Sequence, residues 1–270
     1  LSDYVWTFIN EVAAGLGEKH PNRIALGLAY SYYRQPPADL ERLHPNVGVT
    51  YCQHRSDLRD PEVRRQVFAE REQWLAMLPS KELFVWEYFL WHKTDSQLRG
   101  VPVVFTRIQQ EDMQALRGKS RGEYVEAWPL QSGGLWALNH LTMCLQARLY
   151  WEPDLDLDRF LGEYYTLFYG PAAAEMREFF EFAEEVWMRP EPRTITLAGG
   201  FLRPADVERF FAILDRAQAA AGDGVHAQRI AALREECAPM RAIHAKLQRA
   251  GPDVRVSRVA SQPTIDGSLD

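Results

Sequence analysis

The chain has 270 residues, of which 46% are hydrophobic and 25% are charged, and it carries a formal net charge of −6. That is the composition of a globular protein with one large domain or two smaller ones. The acidic balance argues against a nucleic-acid surface, and no apolar run approaches the roughly 18 residues that a membrane helix needs. The three cysteines, Cys52, Cys144 and Cys237, are too far apart for a disulfide framework or a metal motif, and we expect them in the core.

The first half of the chain alternates between strand and helix patterns. Apolar residues recur at helical spacing over residues 2–17. Four apolar runs then predict strands, and helical patterns follow the second, third and fourth of them; the strands are expected at residues 23–29, 47–52, 83–88 and 123–128. Runs that are apolar along their whole length are typical of parallel strands covered by helices. The sequence therefore predicts an α/β fold, either as an open four-stranded sheet or as part of an eight-stranded barrel.

The second half of the chain is helical in character. Four segments show helical spacing, at residues 154–170, 171–187, 203–222 and 225–251. Six of their apolar residues recur at intervals of three and four and are expected in a buried core: Phe179, Phe180, Val186, Phe210, Phe211 and Leu214. The pattern predicts a helical layer packed on the α/β part.

Polar and aromatic side chains collect where the predicted strands end, which is where parallel α/β folds place their sites. The third and fourth strands carry Glu87 and Glu126, the candidate catalytic residues. The candidate substrate-binding residues are Tyr30, Tyr32, Arg34, Tyr51, His54, Arg55, Trp86, His92 and Trp128. Aromatic rings cover the apolar faces of sugars, and two carboxylates flanking one bond are the usual apparatus of glycoside hydrolysis. The mixture favours a carbohydrate site without a metal or other cofactor.

Structural interpretations of these residues remain open at this stage. Each glutamate could pair with an arginine in a neighbouring strand, and the two histidines could be hydrogen-bonding wall residues. The charge-rich stretch 56–72 is expected to be a solvated face. Because side chains alternate along a strand, Tyr124, Glu126 and Trp128 should share one face, and we expect Glu87 to point into the same cleft. Arg34 or Arg55 is expected to pair with the carboxylate of an acidic sugar.

Four stretches resemble a bacterial family that is named only as a domain of unknown function and is distantly similar to the α-glucuronidases among glycoside hydrolases. They are the segment from "DYVWTFINEV" to "YSYYRQPP", then "PNVGVTYCQHR", "LFVWEYFLW" and "GPAAAEMREFFEFAE". The resemblance covers about residues 1–190. It implies a (β/α)8 barrel of which this chain holds the last four strands, with the general acid in the missing upstream half. Glu87 and Glu126 would then be water-activating bases, although the family pattern has an aspartate at the position of Glu87.

The resemblance also implies a domain division and a function. We expect a half-barrel over residues 1–152, a helical region over 153–251, and a linker over 252–270 in which "PTIDGSLD" resembles the start of a family 9 carbohydrate-binding module. The expected function is hydrolysis of glycosidic bonds in a polysaccharide or oligosaccharide, including one that bears uronic acids, with this fragment inactive alone. The alternative is a non-catalytic carbohydrate-binding or surface protein. The family implies an extracellular or periplasmic location, and no signal peptide is visible in the sequence.

Overall fold

Four parallel strands form the sheet at the centre of the first half of the molecule. A computed structural model describes residues 1–88, 100–126, 136–190, 202–242 and residue 245. The strands are β1 (Ala25–Ala29), β2 (Val47–Gln53), β3 (Leu83–Glu87) and β4 (Glu123–Val125). They lie side by side in chain order, and every neighbouring pair is parallel. The predicted strands, their order and their direction are confirmed.

Eight helices are described, four beside the sheet and four in the region that follows. The first group is α1 (Ser2–Lys19), α2 (Pro61–Met77), α3 (Thr106–Leu116) and α4 (Trp136–Trp151). The second is α5 (Leu157–Tyr169), α6 (Ala173–Trp187), α7 (Pro204–Ala221) and α8 (Val225–Cys237). Between β1 and β2 the structure has one short 3-10 turn, Ser31–Tyr33. The α/β fold followed by a helical region is confirmed, and none of the described helices is long and apolar enough to cross a membrane.

Helices α1 to α4 pack on one face of the sheet, which we call the helix-facing side. Helix α1 crosses β1 at Gly27, where an added Cβ would lie 2.8 Å from the Trp6 ring and from Ile9. A glycine is needed here because the helix approaches the strand backbone so closely. Helices α2 to α4 add apolar residues to the same buried core and also make polar contacts with the strands: Tyr51 of β2 with Glu70 of α2, Gln53 of β2 with Asp112 of α3, and Glu123 of β4 with Gln146 of α4.

The opposite face of the sheet, the open face, carries side chains that alternate with those on the helix-facing side. Leu26 and Leu28 of β1 are 56% and 41% exposed, and Tyr124 of β4 is 55% exposed. No helix in the described ranges packs on these side chains. The sheet therefore has one face that is fully packed and one that presents apolar and aromatic side chains to solvent.

The second group of helices shares one continuous hydrophobic core with the sheet and the first group. All six predicted core residues, from Phe179 to Leu214, are buried, which confirms the helical layer. Glu184 of α6 accepts hydrogen bonds from Thr106 and from the Arg107 N–H at the start of α3. Glu236 of α8 accepts from the first N–H groups of α4, at 3.1 and 2.8 Å. Carboxylates at helix N-termini are favourable, so these contacts fix the helical region at the carboxyl end of the sheet.

The charge-rich stretch 56–72 is not the solvated face that its composition predicts. Ser56, Leu58, Glu70 and Arg71 are buried. The segment forms a 3-10 turn and then α2, whose inner side faces β2 and carries charged residues that pair in the interior. The prediction is wrong because a buried charge with partners looks the same in sequence as a solvated one.

Candidate functional site

An aromatic cluster lies at the carboxyl end of the sheet on its open face. The rings of Trp86 and Tyr124 lie side by side with centroids 4.2 Å apart, as the parallel register of β3 and β4 requires. Tyr88 follows β3, and its ring lies 6.3 Å from Trp86 and stacks on His54 at 4.8 Å. Tyr30, at the end of β1, completes the cluster 6.1 Å from Tyr88. These rings form a wall across all four strand ends.

Glu126 lies at the end of this wall, directly after β4. Its N–H donates to the Glu87 carbonyl oxygen at 2.9 Å, which continues the ladder with β3. Its Oε2 accepts a hydrogen bond from Trp86 Nε1 at 2.9 Å. The residue is half-buried, and its side chain lies on the same face as Tyr124. This agrees with the expected alternation, so the carboxylate of Glu126 is held by an aromatic donor at the open face.

Cys52 lies beneath the same cluster. It is opposite Trp86 in the register of β2 and β3, so its thiol points to the open face although the residue is 5% exposed. Burial raises the pKa of this thiol to about 11, and the nearby Glu126 carboxylate acts in the same direction. The thiol is therefore protonated near neutral pH and is a packing group under the aromatic wall.

Glu87 does not share a cleft with Glu126, so that prediction is wrong. It is paired in register with Gln53 and Val125, and all three side chains point to the helix-facing side. Its carboxylate is fully buried and accepts from the Arg55 N–H at 2.8 Å and from Gln53 Nε2 at 3.1 Å. Burial raises its pKa to about 8, so Glu87 is largely protonated at neutral pH. Its backbone, by contrast, is the acceptor for the N–H of Glu126.

Arg55 is also on the helix-facing side, where it joins a buried ionic network rather than a sugar site. It is fully buried, and it donates to Asp112 Oδ2 and to Glu123 Oε1, both at 2.6 Å. Arg71 donates to the other oxygen of Asp112 at 2.7 Å. Burial alone would raise the pKa of Asp112, but Arg71 and Arg55 together lower it to about 2. Two arginines and two carboxyl groups thus pair with one another beneath the strand ends.

Arg34 and Tyr51 both bind Glu70 of α2 on the helix-facing side. Arg34 Nε donates to Glu70 Oε2 at 3.0 Å, and the Tyr51 hydroxyl donates to the same oxygen at 2.6 Å. Burial, followed by the bond to Glu70, raises the pKa of Tyr51 far above its ordinary value. Arg55 is fully buried among carboxylates of the protein, and Arg34, whose side chain is 32% exposed, already binds Glu70. The pairing of either arginine with a sugar carboxylate stays a prediction.

The remaining predicted residues divide into three groups. Tyr30, His54 and Trp86 belong to the aromatic cluster, as described above. Tyr32 is in the 3-10 turn and is 89% exposed. His92 and Trp128 lie outside the described residues. The substrate-binding residues predicted from the sequence did not include Tyr88, Tyr124 or Cys52. Side chains two residues apart in a strand share a face, so Tyr124 could have been added from Glu126 and Tyr88 from Trp86.

The site combines the carboxylate of Glu126 with a continuous aromatic surface. A carboxylate beside a Trp N–H can accept a proton from water or hold a hydroxyl group, and flat rings can cover the C–H face of a sugar. Among the described residues no group of three or more His, Cys, Asp or Glu is placed to hold a metal ion.

Comparison with known proteins identifies a family. A family model described as a domain of unknown function (DUF4838) matches residues 1–181. The match extends over the sheet, the four helices beside it, α5 and most of α6. No curated protein and no solved structure matches the chain.

Proposed function

The chain belongs to the DUF4838 family, and we propose that it is part of a protein that hydrolyses glycosidic bonds in a polysaccharide or oligosaccharide, with Glu126 as its water-activating base. The observation that carries this proposal is the position of Glu126. It lies at the carboxyl end of a parallel sheet, on the open face, against Trp86 and at the end of an aromatic wall. Acids at this edge of parallel α/β folds are typical of catalysis, and aromatic walls are typical of sugar sites.

The open face supports a second part of the proposal, that the sheet is half of a (β/α)8 barrel. Strands in such a barrel are parallel and neighbours in chain order, as β1 to β4 are. Leu26 and Leu28 leave apolar surface on the open face that the interior of a closed barrel would cover. The second carboxylic acid, which protonates the leaving oxygen, would come from the other half. The division at residue 152 and the β domain after 252 remain predictions.

In the proposed reaction Glu126 accepts a proton from a water molecule as the water oxygen attacks the anomeric carbon. The bond from that carbon to the leaving oxygen breaks, and the second acid donates its proton to that oxygen. Trp86 Nε1–H holds the carboxylate of Glu126 in one orientation. Tyr88 and Tyr124 supply flat surface on either side of Trp86 for the sugar ring.

The test uses the full-length protein and chromogenic 4-nitrophenyl glycosides of neutral sugars and of glucuronic acid. Glu126→Gln should lower kcat by about 10²–10⁴-fold, because the amide keeps the shape but cannot accept a proton. The matched control is Glu82→Gln, since Glu82 precedes β3 on the same face at its amino end and pairs with Arg121. Full turnover by Glu126→Gln, in a preparation free of contaminating glycosidases, would contradict the proposed role.

One observation favours a non-catalytic alternative, a protein that binds carbohydrate without cleaving it. Glu87 is on the helix-facing side, so the described part of the open face has one carboxylate, Glu126, at its carboxyl end. Titration of the full-length protein with oligosaccharides, followed by the fluorescence of Trp86 and the other tryptophans, separates the two functions. Saturable binding without turnover of any glycoside would support the binding protein.

A further inference from the structure

A cavity lies between helices α4, α5 and α8. None of its lining residues belongs to the aromatic cluster around Glu126. It has a volume of about 420 Å³, which is within the range of small-molecule sites. Helix α4 contributes His140, Cys144 and Arg148, which lie four residues apart and therefore share one face. Helices α5 and α8 form the opposite wall.

The inner wall of this cavity is built from rings. Phe160, Tyr164 and Phe168 recur along α5, and neighbouring rings are nearly parallel, at 26° and 10°. The His140 ring stacks on Phe168 with centroids 4.1 Å apart, and its Nδ1 is 2.9 Å from the Tyr164 hydroxyl. The rings of His140, Tyr164 and Phe168 therefore pack closely on one another along this wall. Such a wall favours a planar ligand.

The charges at the cavity favour an anion. Arg229 lies over the Phe168 ring at 4.1 Å and donates to the Phe168 carbonyl, and Arg148 is on the rim. Neither arginine forms an ion pair with any carboxylate within the described residues, whereas 13 other arginines there do. Glu163 contributes the one negative charge of the lining. Burial and the nearby Arg229 cation lower the pKa of His140, so its ring adds no charge near neutral pH.

From this geometry we propose that the cavity binds a small aromatic carboxylate. The ligand ring lies against the ring wall of α5, and its carboxylate pairs with Arg148 and Arg229. Five of the nine lining residues are Phe, Leu, Tyr or Cys, and two of the other four are arginines, which matches a ligand with one ring and one negative charge; a sugar acid has the charge but lacks the planar ring. The site is independent of the function proposed for Glu126.

The proposal is tested on the complete chain with benzoate as the probe, by isothermal titration calorimetry and saturation-transfer NMR. Benzamide has the same ring without the charge, and cyclohexanecarboxylate has the same charge without the planar ring. Benzoate should bind saturably, and both analogues should bind roughly tenfold or more weakly, because each lacks one of the two recognised features. D-glucuronate should bind more weakly than benzoate.

Two variants locate the site. Arg229→Gln and Arg148→Gln should each weaken benzoate binding by roughly tenfold, since each removes one charge-assisted contact. Arg148 is exposed and forms no ion pair within the described residues, so Arg148→Gln decides the matter if Arg229→Gln fails to fold. The matched control is Arg177→Gln, because Arg177 also lies over a ring in this region, that of Tyr165, but outside the cavity. Glu126→Gln should leave binding unchanged.

Four results would overturn the proposal. They are the absence of saturable benzoate binding, equal binding of benzamide, tighter binding of D-glucuronate, and an affinity for benzoate that Arg148→Gln leaves unchanged. The first three reject the ligand class, and the last rejects the location.

Discussion

The two faces of the sheet use the same kinds of side chain for different purposes. On the helix-facing side, Asp112 receives hydrogen bonds from two arginines and a glutamine, and it is fully buried. On the open face, Glu126 is half-buried and receives a hydrogen bond from Trp86. A fully buried carboxylate that is surrounded by donors is committed to the fold, whereas a half-buried one beside an aromatic wall remains accessible to solvent and to a ligand.

The largest expected effect comes from removing the cation of the helix-facing network. Arg55→Met should lower the free energy of unfolding by about 3–5 kcal/mol, because Asp112 and Glu123 lose a buried partner. Denaturant unfolding followed by circular dichroism measures the change. Arg65→Met is the control, since Arg65 forms an exposed pair with Glu62 on α2. If the two variants lost the same free energy of unfolding, the buried pairs of Arg55 would contribute no more to stability than the exposed pair of Arg65.

A smaller loss is expected at the closest approach between α1 and the sheet. Gly27→Ala should lower the free energy of unfolding by about 1–3 kcal/mol, because the new methyl group would meet the Trp6 ring at 2.8 Å. The control is Gly15→Ala in α1, where the added Cβ has no neighbour within 4 Å and alanine favours the helix. If Gly27→Ala unfolds with the same midpoint as Gly15→Ala, the packing of α1 on β1 is looser than described.

The protonation of Glu87 should appear as a pH dependence of stability. Its pKa is raised from 4.5 to about 8 in the folded chain, so between these values the folded state holds a proton that the unfolded state releases. The contribution of protonated Glu87 to the free energy of unfolding is complete below pH 4.5 and is lost as the pH rises to about 8. Over this range the free energy of unfolding falls by at most about 1.4 kcal/mol per pH unit.

Glu87→Gln removes that titration while keeping the shape of the side chain. Unfolding free energies measured from pH 5 to pH 8 should therefore fall less steeply for the variant than for the wild type. Parallel curves for the two proteins would show that Glu87 is ionised in the interior.

The fold was largely predictable because its signals are local. The apolar runs at 47–53 and 83–87 can be recognised without knowing their neighbours, and the lengths of the links between them favour parallel pairing. The helical core was predictable for the same reason, since Phe179, Phe180 and Val186 recur at helical spacing.

The candidate site was only partly predictable, because the sequence does not show which partner a polar side chain finds. Glu87 and Tyr51 stand near strand ends like the residues of the cluster, but each is one position out of phase with Trp86 or Cys52. Arg55 lies beyond the end of β2, in the 3-10 turn that follows it. A shift of one residue moves a side chain to the other face of a sheet. The helical partners of Tyr51 and Arg55 are Glu70 and Asp112, which lie 19 and 57 residues further along the chain. Glu87 is bound by Gln53 and by the N–H of Arg55, which lie 34 and 32 residues before it.

Unfolding of two matched amide variants tests the division between the faces most directly. Asp112→Asn and Glu126→Gln each replace one carboxylate by its amide, and both are compared with the wild type at pH 7 in the same denaturant series. Asp112→Asn should lose about 3–5 kcal/mol, because Arg55 and Arg71 would be left with an uncharged partner in the interior. Glu126→Gln should unfold at the wild-type midpoint, since the amide oxygen still accepts from Trp86. A loss at Glu126 as large as that at Asp112 would show that Glu126 is a structural acid and would contradict the account.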